Sequence, residues 1–262
     1  MSELEDPHDE FRGYVPNGNS KHNGNGNGNG KHKNVHVQPE FEVLEKPLNE
    51  VLDFPTGASD AFEQTEELTK SPEQQKAVEQ AIHDLLDAFN VNWEDPNYTD
   101  TPKRVAKAYL EYWVNGYGRD PEDEITVFPN TSGSDDIVLV KDMRFYSLCS
   151  HHLAPIEGYA AIAYIPDKQL LGLSKLGRIL EIYARRFQLQ ERIGQQTADA
   201  IMDLLSPKGV MIVLYNTTHG CMSSRGVKLH EANTTTMTSR GAFKENLALR
   251  QEVMSLLSLK NP

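Results

Sequence analysis

The sequence is poor in cysteine, in long apolar runs and in positive charge. Only two of its 262 residues are cysteine, Cys149 and Cys221, which excludes a disulfide framework and favours a reducing cytoplasm. We expect no membrane span, because no run of 18 apolar residues occurs. The acidic start, MSELEDPHDEF, has no apolar segment typical of a secretory signal. A net charge of −12 argues against non-specific nucleic-acid binding but allows a local basic pocket for an anionic small molecule.

The N-terminal part differs in composition from the rest. Residues 17–34, NGNSKHNGNGNGNGKHKN, are mostly Asn and Gly and contain almost nothing that could be buried. Such a composition cannot offset the entropy lost on ordering the chain. We therefore predict a disordered tail and linker over residues 1–60 and a folded domain over residues 61–262.

The folded part alternates pairs of helices with pairs of strands. Ser71-Pro72 and Thr101-Pro102 each carry a helix-start signal before an apolar pattern of helical period. Two segments rich in β-branched and aromatic residues, 136–149 and 158–166, then predict strands. Two helices, two further strands and a closing helix complete the order. This order predicts an α+β fold with antiparallel strands.

Both cysteines lie beside histidines at predicted strand ends. Cys149 and His152 form a CxxH pair, and Cys221 follows His219 by two residues. Three Cys/His ligands with an open fourth position are typical of catalytic zinc, and thiolates favour zinc over magnesium. One histidine of the His151-His152 pair would be the ligand, leaving the other and His219 for proton transfer. Two buried free cysteines with incidental histidines, or a disulfide, are the alternatives.

A basic stretch stands out in this acidic chain. Between Ser174 and Arg192 there are five basic and two acidic side chains. Ser174 is a plausible N-cap, and a helix N-terminus together with Lys175, Arg178 and Arg225 would suit a phosphate. A solvated helix face, with an Arg178–Glu181 pair, would account for other members, Arg186 above all.

Glu191 has two interpretations from the sequence. It could be a surface carboxylate at the start of a helix. Alternatively, its two oxygens could accept hydrogen bonds from N1–H and the 2-amino group of a guanine edge.

Four separate motifs together resemble GTP cyclohydrolase I, in order and with matching spacing. They are FYSLCSHHLAPIEG, QLLGLSKLGRILEIYARRFQLQERIGQQTADAI, THGCMSSRGV and TTTMTSRGAF. The resemblance runs from about Pro72 to Leu257. It implies a tunnelling fold (T-fold) with an antiparallel sheet backed by helices, preceded by N-terminal helices. It also implies a homodecamer with active sites at subunit interfaces, which converts GTP and water to formate and 7,8-dihydroneopterin triphosphate.

The resemblance also implies roles for particular residues. The zinc ligands fall on Cys149, His152 and Cys221, and the catalytic histidines on His151 and His219. Substrate-binding positions follow in the same way: Ser174, Lys175, Arg178 and Arg225 for triphosphate, Glu191 with Gln190 beside it for guanine. His219 would protonate N7, so that water activated by zinc attacks C8.

Several positions depart from the family pattern, and other functions compete with this one. The departures near the site are Ser150, Tyr159, Ala161, Gly220, Ser223 and Ser224. A zinc nucleobase deaminase would need HxE and PCxxC signatures, which the sequence does not contain. A nitrile reductase of the same fold would use its cysteine as a nucleophile. A zinc-stabilised protein that binds GTP or a partner without turnover is the non-enzyme alternative.

Overall fold

The computed structural model describes residues 71–225, 228 and 230–259. The predicted tail and the predicted boundary near residue 60 lie outside them. Within the described ranges, no helix is long and apolar enough to cross a membrane. The helices, in chain order, are α1 (Pro72–Ala88), α2 (Thr101–Ala108), a π-helix (Tyr109–Trp113), α3 (Pro121–Glu124), α4 (Leu173–Ala184), α5 (Gln190–Leu205), α6 (Gly220–Ser223), α7 (Ala242–Glu245) and α8 (Leu247–Ser258).

Five strands form the main sheet and two form a small one. The strands are β1 (Val127–Pro129), β2 (Val138–Cys149), β3 (Pro155–Ile165), β4 (Gln169–Leu171), β5 (Phe187–Gln188), β6 (Gly209–His219) and β7 (Thr234–Gly241). The main sheet has the order β5-β2-β3-β6-β7, and β1 pairs with β4. All pairs are antiparallel except the short β2–β5 pair. The predicted α+β class, with an antiparallel sheet backed by helices as in the T-fold, is confirmed.

The core lies on both faces of the sheet. On one face, Ile162 of β3 packs with Ile179 of α4 and Ile193 of α5. On the other face, Ala163 packs with Met211 and Phe243. Because side chains of a strand alternate between faces, β3 and β6 are buried on both sides, which explains their nearly continuous apolar sequences.

Local signals account for some helix starts. The Ser71 hydroxyl accepts a hydrogen bond from the Gln74 amide at 3.1 Å, which confirms the predicted cap of α1. Gly172, not Ser174, is the N-cap residue of α4, so the expectation for Ser174 was wrong. The second predicted helix also differs, because it changes from α to π geometry at Tyr109.

A bulge in β6 precedes the end of that strand. The β3–β6 register shifts between Glu157 and Tyr159, and Asn216 adopts a left-handed conformation with φ of 48°. Gly158 packs against this bulge so closely that a Cβ there would lie 2.6 Å from Thr217 Oγ1. The bulged conformation of β6 therefore requires a residue without a side chain at position 158.

We predict that Gly158→Ala destabilises the fold by roughly 1–3 kcal/mol, because the added methyl group must displace the Thr217 backbone. The Thr217 Cα would lie only 3.0 Å from the new Cβ. Urea unfolding of the two proteins measures the change. Gly177→Ala is the control: it is a helical position with its nearest neighbour, Met143 Sδ, at 3.7 Å, and it should be neutral or stabilising. Equal unfolding midpoints for Gly158→Ala and the parent would contradict this account.

Candidate metal centre and surrounding site

A tight turn joins β2 to β3 and holds the CxxH pair. The Cys149 amide donates to the Ala154 carbonyl at 2.8 Å. The Cys149 carbonyl accepts from the His152 amide at 3.3 Å and from the Leu153 amide at 2.8 Å. Leu153 has a positive φ of 54°, which lets the chain reverse within so few residues. The turn therefore fixes the backbone positions of Cys149 and His152 relative to each other.

The side chains of this turn converge on one point. The Cys149 Sγ lies 3.9 Å from the His152 Nδ1. One ligand atom from each of Cys149, His151 and His152 lies within 4.8 Å of the other two. Cys149 is buried, whereas both histidines are exposed. The thiol therefore lies on the protein side of the group, and the two imidazoles lie on its solvent side.

Cys221 lies in the short helix that follows β6, near Cys149. The short helix α6 begins directly after β6, and a Cβ at Gly220 would lie 3.2 Å from the Pro155 Cδ, next to the turn. Burial raises the pKa of the Cys221 thiol, and the adjacent Cys149 thiol raises it further. Cys221 thus lies near Cys149, whereas the ligand atoms that lie within 4.8 Å of one another are those of Cys149, His151 and His152.

The donor set fits zinc. A tetrahedral zinc with one sulfur and one nitrogen ligand holds these two atoms about 3.6 Å apart. The observed Sγ–Nδ1 distance of 3.9 Å needs only a small adjustment. Two thiols and an imidazole are soft donors that favour zinc over oxygen-preferring cations.

His219, at the end of β6, is held by two neighbours. Its Nε2 lies 2.8 Å from the Gln190 Oε1 and 3.1 Å from the Thr234 Oγ1. Burial lowers the pKa of the imidazole, and the nearby negative charge of Glu191 opposes this shift. Glu191 itself is exposed. The structure thus brings His219, Gln190 and Glu191 to the end of β6, close to the cysteine pair.

The basic residues are divided between two places. Ser174 and Lys175 lie in the first turn of α4, where backbone N–H groups favour an anion. Arg178, one turn later, pairs with Glu124 at 3.4 Å and is about half exposed. Arg225 lies close enough to Cys221 for its positive charge to lower the pKa of that thiol.

Two expectations for the basic stretch were wrong. Glu181 pairs with Arg185, at 3.7 Å, and Arg178 pairs with Glu124. Arg186 is half-buried rather than fully solvated: its Nε donates to the Gly116 and Ile182 carbonyls at 3.2 and 3.0 Å. Burial lowers the pKa of its guanidinium. This residue therefore ties residue 116 to the end of α4.

The departures from the family pattern have ordinary structural places. Tyr159 stacks on Tyr215 with ring centroids 6.0 Å apart. Ala161 is fully buried in the second core cluster. The Ser150 side chain is exposed, and its backbone amide donates to the Gln188 carbonyl at 3.0 Å. Sequence reasoning missed Thr234, whose only signal was its position at the start of a threonine-rich strand.

Comparisons with known proteins match most of the chain. A family model described as GTP cyclohydrolase I matches residues 78–258. GTP cyclohydrolase 1 of Streptococcus pyogenes serotype M18 (strain MGAS8232) is 46% identical over 183 residues, 69% of this chain and 92% of that protein. GTP cyclohydrolase 1 of Streptococcus suis (strain 05ZYH33) is 46% identical over 191 residues, 71% and 98% of the two chains. The crystal structure of the archaeosine synthase QueF-Like in the apo form aligns with TM-score 0.33 and 15% identity, over 40% and 94% of the two chains.

Cobalt binding distinguishes the two possible ligand sets. We predict that Cys149→Ser, Cys221→Ser and His152→Ala each weaken Co²⁺ binding at least tenfold, as expected when one of about three protein ligands is lost. His151→Ala should bind as the parent does. The thiolate-to-cobalt charge-transfer band in the near ultraviolet measures both affinity and thiolate ligation. Loss of binding in His151→Ala, with normal binding in Cys221→Ser, would instead assign the centre to Cys149, His151 and His152.

Proposed function

Because the chain belongs to the GTP cyclohydrolase I family, we propose that it uses zinc to convert GTP and water to formate and 7,8-dihydroneopterin triphosphate. This reaction would be the first step of pterin biosynthesis, toward folate, biopterin or 7-deazaguanine compounds. The observation that carries the proposal is the convergence of two thiols and three imidazoles at one end of the sheet. A binding protein without turnover would not need histidines beyond the metal ligands.

In this proposal Cys149, His152 and Cys221 hold the zinc. When bound, zinc would lower the pKa of water toward neutrality and so supply hydroxide for attack on C8 of guanine. Cys149, His152 and Cys221 would provide three protein ligands, the number typical of a catalytic rather than a structural zinc site. The buried Cys149 and the backbone bonds of its turn support a centre that does not move during the reaction.

The two remaining histidines would move protons. C8 of guanine is a poor electrophile, and protonation of N7 makes it a better one. His219 would donate that proton, since it lies beside Glu191, the proposed guanine-binding residue. His151 is exposed beside Cys149 and would move protons during ring opening and the ribose rearrangement.

Substrate recognition would be shared between two helix starts. At the start of α5, the Glu191 carboxylate would accept hydrogen bonds from N1–H and the 2-amino group of guanine, with Gln190 beside it. At the start of α4, the backbone N–H groups with Ser174, Lys175 and Arg178 would bind the triphosphate. Arg225 would bring a further positive charge close to the metal.

The active form would be a homo-oligomer, a decamer with sites at subunit interfaces. Large apolar side chains exposed on the described chain support association, among them Leu85, Phe89, Tyr112, Trp113 and Phe128. A monomer or dimer in light scattering would refute the decamer.

Incubation with GTP, with and without a zinc chelator, tests the reaction. We expect formate and an oxidisable, fluorescent pterin in equal amounts, both lost on chelation and restored by added zinc. Formate without pterin would contradict the rearrangement half of the proposal and implicate the surroundings of His151. Neither product, from folded protein with zinc bound, would favour the binding protein without turnover.

Glu191→Gln tests the guanine contact. Replacing one carboxylate oxygen by an amino group opposes a guanine donor, so kcat/KM for GTP should fall roughly tenfold or more. Inosine triphosphate, which lacks the 2-amino group, supplies the matched comparison. The parent protein should prefer GTP over inosine triphosphate, and the variant should lose most of that preference. An unchanged preference would place the guanine edge elsewhere.

A further inference from the structure

Three polar side chains from separate elements meet at the end of β6. His219 ends that strand, Gln190 begins α5, and Thr234 begins β7. The His219 Nε2 lies 2.8 Å from the Gln190 Oε1 and 3.1 Å from the Thr234 Oγ1. The Thr234 hydroxyl also donates to the same Gln190 oxygen. Gln190 is only 2% exposed, so water cannot readily replace these partners.

The orientation of the Gln190 amide follows from its third contact. Its Nε2 lies 3.4 Å from the backbone carbonyl oxygen of Leu214. A carbonyl oxygen can only accept, so the group that faces it must be the amide NH₂. The amide oxygen therefore faces His219 and Thr234. The opposite orientation would bring two acceptor oxygens together in a buried place.

This orientation fixes the histidine tautomer. Since the Gln190 oxygen can only accept, the proton of a neutral His219 ring is on Nε2. The Nε2–H bond is bifurcated, because the Thr234 oxygen also accepts from it, while the Thr234 hydroxyl donates to the Gln190 oxygen. Nδ1, in turn, has no hydrogen-bonding partner within the described residues.

We propose that Thr234 and Gln190 are positioning residues that hold the His219 ring through its Nε2–H and so fix the orientation of the ring at the end of β6. The proposal rests on the proposed function, in which His219 acts on N7. Both partners of Nε2 come from elements other than β6, so the ring is held in one orientation before a substrate binds, which is the condition for a preorganised group.

Substitutions at Thr234 test the role by kinetics. Thr234→Val keeps the shape but removes the hydroxyl, so kcat should fall about tenfold while KM for GTP stays within about twofold. Thr234→Ser keeps the hydroxyl and should restore most of kcat. Thr235→Val, at the next and exposed position of β7, is the matched control and should resemble the parent. Parent-like kcat in Thr234→Val would overturn the role of Thr234, and an equal loss in Thr234→Ser would assign it to packing.

Nitrogen NMR tests the tautomer without relying on turnover. In ¹⁵N-histidine-labelled, zinc-loaded full-length protein, magic-angle-spinning spectra separate protonated from unprotonated ring nitrogens, and His219→Asn identifies the signals. At a pH where the ring is neutral, we expect a protonated Nε2 in the parent and in Thr234→Val, and a mixture of tautomers in Gln190→Leu, which lacks the accepting oxygen. A protonated Nδ1 in the parent would overturn the proposal. If the parent shows the expected tautomer but produces no formate, the proposed function fails and the positioning network stands.

Discussion

The pairing of β3 with both β2 and β6 is the constraint on which the site depends. Because β2 and β3 are antiparallel neighbours, the turn that joins them lies at the N-terminal end of β3. Because β6 is antiparallel to β3, the C-terminal end of β6 lies next to the N-terminal end of β3, with His219 opposite Ile156. Two sequence motifs about 70 residues apart therefore meet through backbone hydrogen bonds. Because apolar side chains cover these bonds on both faces of the sheet, local opening that would separate the two motifs is unfavourable.

The two cysteine thiols lie near each other at this end of the sheet, where the charge of one thiolate would disfavour the other. Burial raises the pKa of the Cys221 thiol, and the neighbouring Cys149 thiol raises it further. A divalent cation removes this difficulty, because it stabilises both thiolates at once and releases their protons. The close packing of Gly220 on Pro155 holds α6 against the turn and so maintains the arrangement. Fold stability and metal affinity should therefore be linked here.

The sequence predicted those features that depend on local pattern. The cap at Ser71, the order of helices and strands and the strand ends carrying Cys149 and His219 all follow from spacing and residue type. Features that depend on contacts between distant segments could not be predicted. Arg186 looks like a surface residue of a helix until its bond to the Gly116 carbonyl is seen. Likewise, the sequence does not distinguish Thr234 from Thr235. Only the folded structure shows that Thr234 contacts Gln190 of α5 whereas Thr235 is exposed.

Gln190 and Glu191 show how one helix start can serve two tasks. Adjacent residues on a helix point about 100° apart, so one can face inward while the next faces the solvent. Gln190 is buried and bonded to His219, whereas Glu191 is exposed and acts on His219 only through its charge. A guanine bound to Glu191 would thus be aligned by the same helical turn that orients His219, the proposed proton donor. Recognition of the base and protonation of N7 would then depend on one rigid element, which is how binding energy is converted into correct geometry.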